Sequence, residues 1–186
     1  IAHALSYYRE NGSALSEADE TERKKTLTDY ALPKNIAGLE RDLSRYRINY
    51  DTWFRESTLH NNGAVSEIIE KLKESGYTYE QDGALWFRSS ELGDEKDRVL
   101  VRANGIVTYF VPDIAYHYNK LVTRGFDKAI DIFGADHHGY IPRMKAALTA
   151  LGVNADKLEI VIMQMVNLVR NGEKYKLSKL SGKAVT

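Results

Sequence analysis

The chain has 186 residues, 43% hydrophobic and 28% charged, the balance of a globular protein long enough to bury a core. Lysine and arginine number 26 against 26 acidic residues, so any contact with nucleic acid would rest on a local patch and not on net charge. Cysteine is absent, which excludes disulfides and thiolate metal sites, and no apolar run reaches the roughly 20 residues of a membrane span.

Ile1 to Tyr8 reads as a helix already under way, and Thr186 ends without a visible cap, so the chain is expected to be cut from something longer. Residues 1 to about 75 read as helical. Ser16 with Asp19 resembles a capping box opening a charged helix to Tyr30, and Pro33 is expected to break the chain there. Ile36, Leu39, Leu43 and Tyr46 share one helical face; Val65, Ile68, Ile69 and Leu72 share another, stopped by Gly76. Both faces are expected to be core.

The texture changes near Tyr77. Residues 84–88, 97–102 and 106–110 are short β-type runs, with Asn104-Gly105 as a hairpin signal. An alternation follows: a helix from Asp113 to about Arg124, a strand at 129–133, a helix from Pro142 to Leu151 stopped by Gly152, and a strand at 158–164. Strand–helix–strand with apolar strands predicts an α/β fold with a parallel sheet covered on both faces.

Three clusters could carry chemistry, all after residue 105. Tyr109 to Asp113 lies between a predicted strand end and a helix start, ground where open α/β sheets bind ligands. Asp113 is either a helix cap or a partner for a cation. Gly134-Ala-Asp-His-His-Gly139 follows the strand AIDIF; its glycines allow close approach of a ligand, and Asp136 adds a carboxylate. Adjacent His137 and His138 point different ways, which disfavours one metal held by both. The third cluster, Asn171 to Lys183, is either a solvated basic turn or a phosphate clamp built on Lys176, Ser178 and Lys179.

Their order is more informative than any one of them. A strand ending in GADHHG, then a helix, a strand and Lys176-Leu-Ser-Lys179, resembles the C-terminal half of a class I aminoacyl-tRNA synthetase, the tetrapeptide standing where that class has KMSK. The stretches Asp113 to Leu148 and Glu91 to Leu100 resemble arginyl-tRNA synthetases of the bacterial type. The resemblance implies a cytoplasmic ligase that uses ATP and magnesium to make arginyl-adenylate and passes the arginyl group to tRNA, with no tightly bound cofactor and no protein metal site. It implies a helical insertion over residues 1–76 and, over 77–186, the second half of a Rossmann-like catalytic domain.

By the same resemblance, Tyr109 and Asp113 would hold the guanidinium, with His137 at a substrate-contacting position. Gly134 and Asp136 would approach the ribose of ATP, and Met165 and Val166 would border adenine. Lys176, Ser178 and Lys179 would neutralise the triphosphate as pyrophosphate leaves. The chain departs from the family pattern in lacking the His-x-Gly-His signature, and in carrying Leu180 and Ser181 after the lysine loop. The piece alone is therefore expected to be inactive and to self-associate through an incompletely covered sheet. Two other classes are a non-catalytic RNA-binding or regulatory fragment, and a DHH-type metal-dependent phosphoesterase, which would need further aspartates paired as ligands.

Overall fold

A computed structural model describes residues 2–13, 15–164 and 166–175. The chain divides into two compact units, one ending at Phe54 and the other beginning at Arg55.

The first unit is a helical pair. Helix α1 (Ala2–Asn11) packs on α2 (Glu20–Arg45) through Tyr7 and Tyr30, whose rings meet edge to face at 5.1 Å, while the Tyr30 hydroxyl donates to Glu10 at 2.7 Å. The start of α2 is set by Asp19, whose carboxylate accepts from the Glu22 amide at 2.8 Å. Ser16 takes no part in that cap; its hydroxyl donates to the Ser13 carbonyl. Pro33 does not break the helix, which runs through it to Arg45. The carbonyl that loses its partner belongs to Asp29, an exposed residue, so water can satisfy it. Pairs one turn apart, Glu20–Lys24 at 2.6 Å and Lys25–Asp29 at 2.7 Å, support the exposed face. The row Ile36, Leu39, Leu43 and Tyr46 is not core, for no residue of α2 is buried.

The second unit holds every buried apolar side chain among the described residues. Helices α3 (Glu56–Asn61) and α4 (Ala64–Glu74) pack on α5 (Phe110–Tyr118), burying Leu59, Val65, Ile68 and Leu72 as the spacing of α4 predicts. Gly76 follows α4 at φ +79°, a conformation that favours glycine.

Three antiparallel strands come next: β1 (Thr78–Gln81), β2 (Ala84–Phe87) and β3 (Arg98–Val101), in that order. β1 is absent from the sequence-based reading, although Asp82 and Gly83, with φ of 52° and 73°, form the tight positive-φ turn that joins it to β2. The expected strand at 106–110 reduces to one bridge, Val101 to Val107. The chain then turns helical because Phe110 and Val111 bury their side chains as the first turn of α5, with Phe110 against Phe87 at 6.4 Å.

A parallel pair completes the framework: β4 (Ala129–Gly134) and β5 (Leu158–Met163), joined by helix α6 (Tyr140–Ala150). The parallel register, Ala129 beside Leu158 through Gly134 beside Met163, bears out the predicted strand–helix–strand unit. Coverage of both faces does not hold. Ala129 and Leu158 are buried on one side, but Ile130, Ile132 and Met163 on the other are 57%, 68% and 53% exposed. Beyond β5, a hairpin of β6 (Leu168–Arg170) and β7 (Glu173–Tyr175) turns at Asn171-Gly172, so the first five residues of the third cluster belong to a hairpin.

The segment between β2 and β3 is tied by a buried carboxylate. Asp94 receives Arg98 in a two-pronged pair at 2.7 and 2.9 Å, and the Ser89 hydroxyl lies 3.0 Å away. Burial alone would raise the Asp94 pKa; the hydrogen bonds from Arg98, the Glu95 amide and Ser89 outweigh it and hold the group below the usual carboxylate range. Asp94→Ala should therefore cost about 3–5 kcal/mol of stability, as expected when one partner of a buried pair is removed. Urea unfolding of the chain measures it; a loss under about 1 kcal/mol would place this segment outside the cooperative fold.

Candidate functional site

The first turn of α5 and the carboxyl end of β4 are linked through Tyr140, which neighbours Asp113 on one side and packs on Phe133 on the other. Tyr109 stands at the entry to α5, 84% exposed, and its carbonyl accepts the Asp113 amide at 3.3 Å. Asp113 is not the helix cap, because the helix begins three residues before it. The spacing of four puts Tyr109 and Asp113 on one face of that turn.

Behind Asp113 stands Tyr140, the first residue of α6. Burial first, and then the neighbouring Asp113 and Asp131 carboxylates, push the Tyr140 phenol far above its ordinary pKa, so it remains a hydrogen-bond donor facing Asp113. The Asp113 carboxyl is itself raised. Desolvation by its dense surroundings is the main cause, with Glu56 and Asp131 adding repulsion, against lowering by His117 and Tyr140.

At the end of β4, Gly134 leads into a single helical turn, Ala135–His137, and through Gly139 into α6. A methyl group at position 134 would stand 2.7 Å from the Asp136 Oδ1, so alanine there would displace that carboxylate. Asp136, His137 and His138 are all exposed. The His137 Nε2 lies 3.7 Å from Asp136, and its ring packs 5.2 Å from Phe133, which in turn meets Tyr140 edge to face at 5.3 Å. A chain of contacts thus runs from Asp113 through Tyr140 and Phe133 to His137. Val166 lies past β5 and is exposed. Met165, Lys176, Ser178 and Lys179 lie outside the described residues. No group of three or more His, Asp or Glu side chains able to hold a metal stands together among the described residues, so the paired aspartates that a DHH-type phosphoesterase needs are not found there.

The supporting layer was not read from the sequence. Asp131, in the middle of β4, accepts His117 Nε2 on one oxygen at 2.5 Å and Lys120 Nζ on the other at 2.7 Å. His117 Nδ1 sits 2.7 Å from the Asp113 carbonyl oxygen. Burial would raise the Asp131 pKa, but the two hydrogen bonds outweigh it and hold the carboxyl below its usual range. Two signals were legible: a carboxylate inside the apolar run AIDIF, and Asp113, His117 and Lys120 at helical spacings of four and three.

A parallel strand–helix–strand unit with a glycine-bounded polar turn at the strand's carboxyl end is an arrangement of α/β folds that take ligands at their strand ends. Residues 10–186 match the family of class I tRNA synthetases (R), catalytic domain, and the chain belongs to that family. It is 53% identical over its whole length to an arginine–tRNA ligase of Acetivibrio thermocellus, of which it covers 33%. Over 95% of its length it is 50% identical to one of Bacillus subtilis, of which it covers 32%. A solved structure from Campylobacter jejuni assigned as an arginyl-tRNA synthetase superposes with a TM-score of 0.84 at 41% identity, over 95% of this chain and 38% of that one. Thermus thermophilus arginyl-tRNA synthetase, at 18% identity and TM-score 0.63 over 87% of this chain and 35% of that one, shares the fold. The chain spans about a third of the length of the curated relatives it matches.

The Asp131 pair yields a pH-dependent test. A carboxyl whose folded pKa is depressed contributes stability above its unfolded value, near 3.9, and loses it as pH falls through the folded value. Asp131→Asn, which leaves Lys120 and His117 without their partner, should cost about 3–5 kcal/mol at neutral pH. That cost should shrink as the pH falls below about 4. Urea titrations from pH 7 to 3 measure it; a cost independent of pH would exclude the ionised pair as its source.

Proposed function

We propose that this chain is part of an arginine–tRNA ligase that activates arginine with ATP and transfers it to tRNA. The observation that carries this reading is the placing of Tyr109 and Asp113 four residues apart at the start of α5, in a chain about half identical to arginine–tRNA ligases. A carboxylate is the natural two-pronged partner of guanidinium, and the exposed phenol beside it offers a ring face and a hydroxyl. The Tyr140 phenol, kept protonated, lies on the other side of the Asp113 carboxyl. His137, linked to Asp113 through Phe133 and Tyr140, would contact the substrate from the end of β4.

The substrate's carboxylate would attack the α-phosphate of ATP in line, a reaction in which positioning and charge stabilisation do most of the catalysis. Gly134 leaves room for the ribose beside Asp136, and Met165 and Val166 border the adenine. Lys176, Ser178 and Lys179 neutralise the triphosphate as pyrophosphate departs. Magnesium would enter with the nucleotide. The reading includes a cytoplasmic setting and residues 1–76 as the insertion toward the acceptor end of tRNA. Among the described residues, no helix is long and apolar enough to cross a membrane.

The test of the activity is ATP–pyrophosphate exchange with arginine, magnesium and cognate tRNA. Full-length protein should exchange, whereas residues 1–186 alone should remain at background, since they contain no His-x-Gly-His. Robust exchange by the 186-residue chain would mean that another group replaces that signature.

Asp113 provides the sharper prediction. In the full-length enzyme, Asp113→Ala should raise the arginine KM by about ten- to a hundredfold, the worth of a hydrogen bond to a charged group, with the ATP KM nearly unchanged. The raised Asp113 pKa adds a sign: only the ionised carboxylate binds guanidinium, so the arginine KM should climb on mild acidification, before an ordinary aspartate would protonate. Asp113→Asn should abolish that rise. An arginine KM independent of residue 113 would reduce it to a structural residue.

A further inference from the structure

Beneath the proposed arginine pocket lies a set of charges that contact no substrate in that reading. His117 is only 3% exposed, and its two ring nitrogens are both engaged: Nδ1 with the Asp113 carbonyl at 2.7 Å, and Nε2 with Asp131 Oδ2 at 2.5 Å. Asp131 cannot swing away, because its other oxygen holds Lys120 at 2.7 Å. The Asp113 carbonyl is also within reach of the residue-117 amide one helical turn on, so the imidazole is an additional hook on the backbone of the residue that faces the guanidinium.

We propose that His117 is a positioning residue for arginine recognition: held by Asp131 and Lys120, it fixes the backbone of Asp113 and hence the direction in which that carboxylate meets the guanidinium. This rests on the reading of Asp113 given above. The arrangement differs from ordinary core packing in its direction. Lys120 and Asp131 orient the ring, the ring grips residue 113, and the Tyr140 phenol, whose ring centre lies 6.4 Å from that of His117, borders the Asp113 carboxyl from the other helix. Recognition of a planar, two-pronged cation tolerates little rotation of its carboxylate, which is where such a constraint on the backbone acts.

The two bonds of His117 can be separated by substitution. Glutamine places an amide near Nε2 and keeps the bond to Asp131 while losing the one to Asp113; asparagine places an amide near Nδ1 and does the reverse. Steady-state exchange kinetics on the full-length protein would be run for wild type, His117→Gln, His117→Asn and Asp113→Ala, with thermal unfolding alongside. His117→Gln is expected to raise the arginine KM about tenfold, the worth of one hydrogen bond, with the ATP KM unchanged, whereas His117→Asn, which keeps the grip on residue 113 and loses only its anchor at Asp131, raises it no more than about threefold. A structural role alone would lower the unfolding temperature of both variants and move no KM selectively. Equal arginine KM values for glutamine and wild type, equal losses in both variants, or a parallel rise in the ATP KM would each overturn the proposal. If Asp113→Ala leaves the arginine KM unchanged, the underlying reading of Asp113 fails, whatever His117 does. Should His117→Gln not fold, Lys120→Gln frees Asp131 to rotate; it is expected to raise the arginine KM severalfold, and no change in it would overturn the proposal.

Discussion

Asp131 imposes the constraint on which the arrangement around it depends. A carboxylate in the middle of an apolar strand is costly unless its charge is matched, and both matching groups come from one helical stretch, His117 and Lys120. Their bonds fix the height and rotation of α5 against β4. Once that relation is set, the first turn of α5 and the carboxyl end of β4 open on the same side, and Tyr140 at the head of α6 closes the gap between them. Hydrophobic burial makes the second unit fold; the charge set chooses among the ways its apolar helices could slide over the sheet.

Groups proposed to face substrate and groups that hold them are sharply separated by exposure. Tyr109, Asp136, His137 and Val166 are open to solvent, whereas His117, Asp131 and Lys120 are largely withdrawn from it. Side chains at the surface lose directional precision unless a layer beneath restricts them. Here the restricting bonds reach main chain as well as side chain, as the carbonyl of residue 113 illustrates.

What the sequence discloses follows from where each element meets the core. Helix α4 was legible because Val65, Ile68 and Leu72 sit on a buried stripe with the expected period, and β4 and β5 because their apolar runs are short and bounded by glycine and polar residues. Helix α2 is legible as a helix but not in its packing: charge pairs and the Asp19 cap suffice to form it, so its apolar row carries no information about burial. Pro33 misleads for the same reason, since solvent takes the place of the missing donor. Phe110 and Val111 satisfy a β pattern and a buried helical turn equally well, and tertiary contact with Phe87 decides between them. The tight turns at Asp82-Gly83 and Asn171-Gly172 were readable signals outweighed by the surrounding polar residues. For the site, Tyr109 and Asp113 stood out by residue type, while His117 and Asp131 become meaningful only together, and their separation of 14 residues hides the pairing.

Helix α5 does not end as a regular α-helix. It continues into a wider π turn over Asn119–Thr123, where the amide of Arg124 reaches back five residues to Asn119 at 2.8 Å. Such a turn is in effect an α-helix that has accommodated one additional residue. The consequence is for how chains of this architecture can change in length. A residue lost or gained between Asp113 and Lys120 would rotate everything beyond it by about 100° and carry the lysine off the strand, whereas the same change near Gly125 would fall in a connection that faces water. Length variation among related genes should therefore accumulate after the π turn and be excluded from the stretch before it.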